Sequence, residues 1–119
     1  MFDNDLDSLL LRHPPRTVQL FHRLIAIIRE IRPDFTCKVS TGWQTVNFHL
    51  PKRGFILALY ASREGKVLLI FQDGRLLDSP LLIDDGKVKR VRWIPFTPGR
   101  KLPVDDIAIL IAEAVALRS

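Results

Sequence analysis

The amino-acid sequence predicts an α+β fold: an antiparallel sheet of about five to six strands, with N- and C-terminal helices packed on one face. Three observations predict it. Apolar residues recur at three- and four-residue spacing over 16–31 and again after Pro103. Between Pro33 and Ile94 that rhythm gives way to alternation or to short apolar runs, the patterns of half-buried and fully buried strands. The strands are joined by short turns, and parallel neighbours would need crossovers of a dozen residues or more.

Residues 1–13 form a leading segment, expected to be loosely ordered with one helical turn through 6–11. His13-Pro14-Pro15 stops it, because proline disfavours the helical region at the residue before it. From 14 to 119 the chain reads as a single domain. A helix over 16–31 buries a stripe of Val18, Phe21, Leu24, Ile25, Ile28 and Ile31, and Pro33 ends it. Strands are expected at 36–40 and 43–50, with Val46, Phe48 and Leu50 on one side and Thr45, Asn47 and His49 on the other.

Lys52-Arg53-Gly54 turns the chain into two strands apolar on both sides, 55–61 and 66–72, linked by the hairpin turn Ser62-Arg63-Glu64-Gly65. A long connection over 73–85 carries the turn markers Asp73-Gly74, Asp78-Ser79-Pro80 and Asp84-Asp85-Gly86. The last strand is expected at 87–94, broken off by Pro95, Pro98 and Gly99. Pro103 then opens a helix whose buried stripe is Ile107, Leu110, Ile111, Ala114 and Val115, with Asp105 and Asp106 at the positive end of its dipole. Two helices on one sheet face leave the other for loops, a partner or a second copy, so a homodimer through that uncovered face is one expectation.

The 119 residues suffice for a core without staples. The lone Cys37 rules out an internal disulfide and fits a reducing compartment. The acidic start lacks the basic region of a signal peptide, and no apolar run nears the roughly 20 residues of a membrane helix. The cytoplasm is therefore the expected location, with no membrane partner. A net charge of +5 and a pI near 9.9 permit a polyanionic partner without requiring one.

Most catalytic signatures are absent. His13, His22 and His49 have no ligand-pair spacing, so no metal site is expected. No nucleophile elbow or phosphate loop occurs, and nothing calls for a cofactor. Lys38 beside Cys37 would favour a thiolate if the pair were open to solvent. Two places remain. At Gly42-Trp43-Gln44, a glycine next to tryptophan at a strand start can leave backbone amides open beside an aromatic wall. Along 87–92, Lys87, Lys89, Arg90 and Arg92 could track a nucleic-acid backbone beside Trp93, although alternation divides them between two faces.

The order of several short motifs resembles the YdhG-like family, a largely uncharacterised group. The helix ends at Ile31-Arg32-Pro33, a glycine (Gly42) marks the next strand, and two apolar strands follow. The connection begins with Phe71, Gly74 and Leu77 and runs to Pro80, then comes Gly86-Lys87-Val88-Lys89-Arg90 and a closing helix over 104–117. The resemblance implies a frataxin-like layout, and some relatives are described as iron chaperones that hold iron on clustered carboxylates. This chain departs from that pattern, since the helix over 16–31 carries Arg16, Arg23 and Arg29 against one acid, Glu30.

The leading reading is a non-enzymatic binding module for a small anionic ligand or protein partner. Its cleft would be formed by Gly42, Trp43, Gln44, Asp78, Lys87 and Arg90, with Arg90 paired to Asp78 or left free for the ligand. An iron-handling protein using Asp3, Asp5, Asp7, Asp84 and Asp85 is the first alternative. Nucleic-acid association through Lys87, Lys89, Arg90 and Arg92 is the second.

Overall fold

A computed structural model describes residues 1–118. Helix α1 (Phe2–Leu10) and helix α2 (Pro15–Ile31) lead into five strands, β1 (Thr36–Ser40), β2 (Thr45–Leu50), β3 (Gly54–Ala61), β4 (Val67–Phe71) and β5 (Arg92–Phe96). Helix α3 (Val104–Ala116) closes the chain, and a single 3-10 turn, Gly74–Leu76, follows β4. The strands form one antiparallel meander in the order β1-β2-β3-β4-β5. The predicted α+β class and strand number are those observed.

Alternation sorts the sheet into two sides. Val46, Phe48, Leu57, Leu59, Val67, Leu69 and Phe71 are sealed from solvent in the core shared with the helices. Helix α2 lies on β3 and β4 and contacts α3, while α1 packs against β1. On the other side the register aligns Asn47, Ala58, Ile70 and Trp93 in one row and Thr45, Tyr60, Leu68 and Pro95 in the next. Tyr60, Leu68, Ile70, Trp93 and Pro95 in those rows are only half-buried.

Helix α2 buries Thr17, Leu20, Phe21, Leu24, Ile25 and Ile28. Its stripe therefore runs through Thr17 and Leu20, whereas the predicted Val18 and Ile31 stand half-buried at its border. Thr17 is buried because its hydroxyl donates to the Gly65 carbonyl at 2.8 Å, tying the helix to the β3–β4 turn. An unpaired hydroxyl there would carry a desolvation cost.

Two expectations are corrected. The leading segment is more than one turn: α1 spans nine residues and sinks Leu6 and Leu10 into the core. Their four-residue spacing puts both on one side of the helix, and Asp3 and Asp5 in the first turn suit its dipole. The last strand starts at Arg92, five residues later than expected, and continues through Pro95. Consecutive side chains capture the donors a longer ladder would need. Asp84 Oδ1 accepts from Gly86 N–H at 2.9 Å, and Asp85 Oδ1 accepts from the N–H groups of Lys87 at 2.9 Å and Val88 at 3.2 Å. Pro95 is tolerated because β5 is the last named strand of the sheet, where a missing N–H costs no central ladder bond.

Candidate functional site

The sheet order separates the residues that the sequence suggested would share a cleft. Gly42, Trp43 and Gln44 form the β1–β2 turn, at one edge of the sheet. Asp78, Lys87 and Arg90 belong to the β4–β5 connection, at the other edge and the opposite end of the strands. Alternating strand directions put the β1–β2 and β3–β4 turns at one end, and the β2–β3 turn and β4–β5 connection at the other. The two groups therefore lie at opposite corners of the sheet.

Arg90 is engaged, and its partner is Asp73, not Asp78. Its Nε and Nη2 donate to Asp73 Oδ1 at 3.1 and 2.8 Å, while Arg118 Nε donates to Oδ2 at 2.6 Å. These bonds, that from Arg118 foremost, hold the Asp73 carboxyl below the ordinary aspartate range despite its partial burial. Asp73 leads directly into the 3-10 turn, whereas Asp78 lies beyond it and stays exposed.

The basic strand expected for nucleic acid does not form. Arg92 pairs with Asp84 at 3.2 Å and donates to the carbonyls of Val88 and Val91, and Arg90 is held by Asp73. Lys87 and Lys89 remain exposed on an irregular segment. Among the described residues, no group of three His, Cys, Asp or Glu side chains comes together to hold a metal ion. Burial pushes the Cys37 thiol up, and the nearby Arg29 offsets this only in part, so the thiolate is disfavoured.

Of the glycine–tryptophan corner, Gln44 alone lines a recess. Gln44 lies beside a recess of about 770 Å³, bounded by the end of α1 and the segment after it, the end of β3, and the β3–β4 turn. Leu11, Arg12, His13, Gln44, Tyr60 and Arg63 line it. Gln44 has φ 59°, a left-handed conformation that side chains other than glycine seldom adopt. Its carboxamide donates to the Thr41 carbonyl at 2.6 Å, and the Trp43 N–H reaches Ser40 Oγ at 3.3 Å, so the turn is bonded to itself. Trp43 is 80% exposed, as is Leu11. The tryptophan thus stands in solvent, and Gly42 has open space where a side chain would stand.

Arg12, His13, Tyr60 and Arg63 had no sequence signal linking them to Gln44. They meet because α1 is a helix docked on β1, a contact that only the buried Leu6 and Leu10 foreshadow. The chain matches no family model, no curated protein and no solved structure.

Proposed function

We propose that this chain is a non-enzymatic binding module that takes a small anionic ligand with an apolar body in the recess beside Gln44. The observation that carries the reading is the lining itself. Arg12, Arg63 and His13 offer donors to an anion, Leu11 and Tyr60 offer apolar surface, and no carboxylate lines the recess. Neither arginine is committed to an ion pair within the described residues. The left-handed Gln44 adds support, because backbone strain that persists is concentrated at ligand sites. The order of the motifs is the ground for placing the chain, also by proposal, among YdhG-like proteins.

Trp43 supplies the test, since it precedes Gln44 in the chain and its indole is open to solvent. Titration with benzoate and with phenyl phosphate is expected to change tryptophan emission saturably. The change should vanish in the double variant Arg12→Gln/Arg63→Gln while its melting temperature stays within a degree or two of the parent. A linear, unsaturable response, or one that the double variant retains, rejects the reading.

A further inference from the structure

We infer that a second anion site, independent of the recess beside Gln44, lies between α2 and the β5–α3 loop and takes an oligophosphate group, two or more linked phosphates. A recess of about 500 Å³ is lined there by Arg16, Gln19, Arg23, Arg100 and Lys101, over the apolar side chains of Leu20 and Leu102. That volume falls within the usual range for small-ligand sites, about 300–1,000 Å³. Four cations thus share one concavity, and none of them makes an ion pair or side-chain hydrogen bond within the described residues.

A solvated basic surface usually interleaves its charges with acids. Here the first turn of α2 has no acid, and Asp105 and Asp106, close to Lys101 in sequence, pair with none of the four cations. Among the described residues, Arg32, Arg90, Arg92 and Arg118 each hold a carboxylate, while Arg12, Arg29, Arg53, Arg63 and Arg75 hold none but are not gathered in this recess. Like charges gathered without counter-charge repel one another, and an anion in their midst relieves that repulsion. Gly99 has φ 84°, and the Arg16 guanidinium lies against its bare backbone, so this arginine reaches from α2 across to the loop.

The arrangement also selects among anions. Arg16 and Arg23 stand seven residues apart on one side of α2, about 10.5 Å of helical rise. A chain of linked phosphates offers more oxygens over that length than one phosphate does, and so can engage both helix arginines together with Arg100 and Lys101 of the loop. The lining holds no aromatic ring to stack a base and no carboxylate to accept from a base or sugar hydroxyl. The phosphate chain is therefore the part that is read, whether free or carried by a nucleotide.

Calorimetric titration of the full chain with sodium tripolyphosphate in magnesium-free buffer tests this. One saturable site is expected, about tenfold or more tighter than for orthophosphate, and weakened about tenfold or more by Arg23→Gln or Arg16→Gln. Arg29→Gln, which removes the same charge from the same helix outside the recess, should leave it unchanged, as should Arg12→Gln/Arg63→Gln. Adenosine triphosphate binding as tightly as tripolyphosphate, or more weakly, fits a site that reads only the chain. Adenosine triphosphate binding tenfold tighter would overturn that class. Equal affinity for orthophosphate, or equal weakening by Arg29→Gln and Arg23→Gln, would overturn the site.

Discussion

Arg118 donates from Nε to Oδ2 of Asp73 at 2.6 Å, joining the segment after α3 to the end of β4 across 45 residues. The same guanidinium donates through Nη1 to the Arg53 carbonyl at 3.0 Å, so one side chain holds α3, the β2–β3 turn and the exit from β4 together. Arg90 takes the other carboxylate oxygen. Asp73→Asn would keep the shape and remove the charge. It should cost about 1–3 kcal/mol, because two guanidinium groups lose a charged acceptor. Chemical denaturation at pH 7 measures it, and a loss below 0.3 kcal/mol would mean that solvent screens the cluster fully.

The same carboxylate sets a pH dependence. Its folded-state pKa is depressed, so its contribution is fully present above the unfolded aspartate value of about 3.9. That contribution is lost as pH falls through the lower, folded-state value. Denaturation midpoints followed from pH 6 to pH 2 should drop for the parent more than for Asp73→Asn, the two curves converging at the acid end. Parallel curves would remove Asp73 from the account.

Gly74 lies buried against β5, and a Cβ there would meet the backbone nitrogen and Cα of Arg92. Backbone cannot swing aside as a side-chain tip can. Gly74→Ala should therefore destabilise by about 2 kcal/mol or more through overpacking. It should also loosen the Arg75 N–H to Arg90 carbonyl bond, 3.0 Å, seen as faster amide exchange at Arg75. Unchanged stability would show that the 3-10 turn can shift away from β5.

Lys52 adopts φ 65° in the β2–β3 turn, where its side chain is exposed. A non-glycine residue in that region carries a cost of about 1–2 kcal/mol. Lys52→Gly should stabilise the fold by up to about 1 kcal/mol, the relief being reduced by the greater freedom of glycine in the unfolded chain. Thermal denaturation reads the sign directly, and a lower melting temperature would contradict it.

Cys37 is half-buried in β1, with its thiol pushed above the ordinary range. Alkylation by iodoacetamide at pH 7.5 should run slower than for a free cysteine in a peptide, and the deficit should disappear in denaturant. A reaction faster than the peptide's would restore the thiolate that neighbouring Lys38 suggested in the sequence.

Much of the fold was legible along the chain because hydrophobic burial imposes a period. The rhythm of Phe21, Leu24, Ile25 and Ile28 allows only a helix, and that of Val46, Phe48 and Leu50 only a strand, whichever neighbours they meet. Where side chains compete with the ladder, the period misleads. Lys87–Arg92 alternates like a strand, yet Asp84 and Asp85 take the backbone donors first and hold the segment in turns. The leading segment misled in the other direction, since its few apolar positions become a helix only by docking Leu6 and Leu10.

The candidate recess was foreshadowed at Gln44 alone. Gly42-Trp43-Gln44 was marked by its composition, but Asp78, Lys87 and Arg90 were grouped with it on charge alone, and the meander carries them to the far corner. Sequence by itself determined α2, α3, the strands β2 to β4 and the surplus of positive charge, because each follows from the chemistry of near neighbours. Tertiary structure alone decided which charges are used up and which stay open. Arg90 and Arg118 close on Asp73, while Arg16, Arg23, Arg100 and Lys101 face one another without an acid. Ion pairing acts over a few ångströms of space, and chain separation carries no information about that distance until the fold has set it.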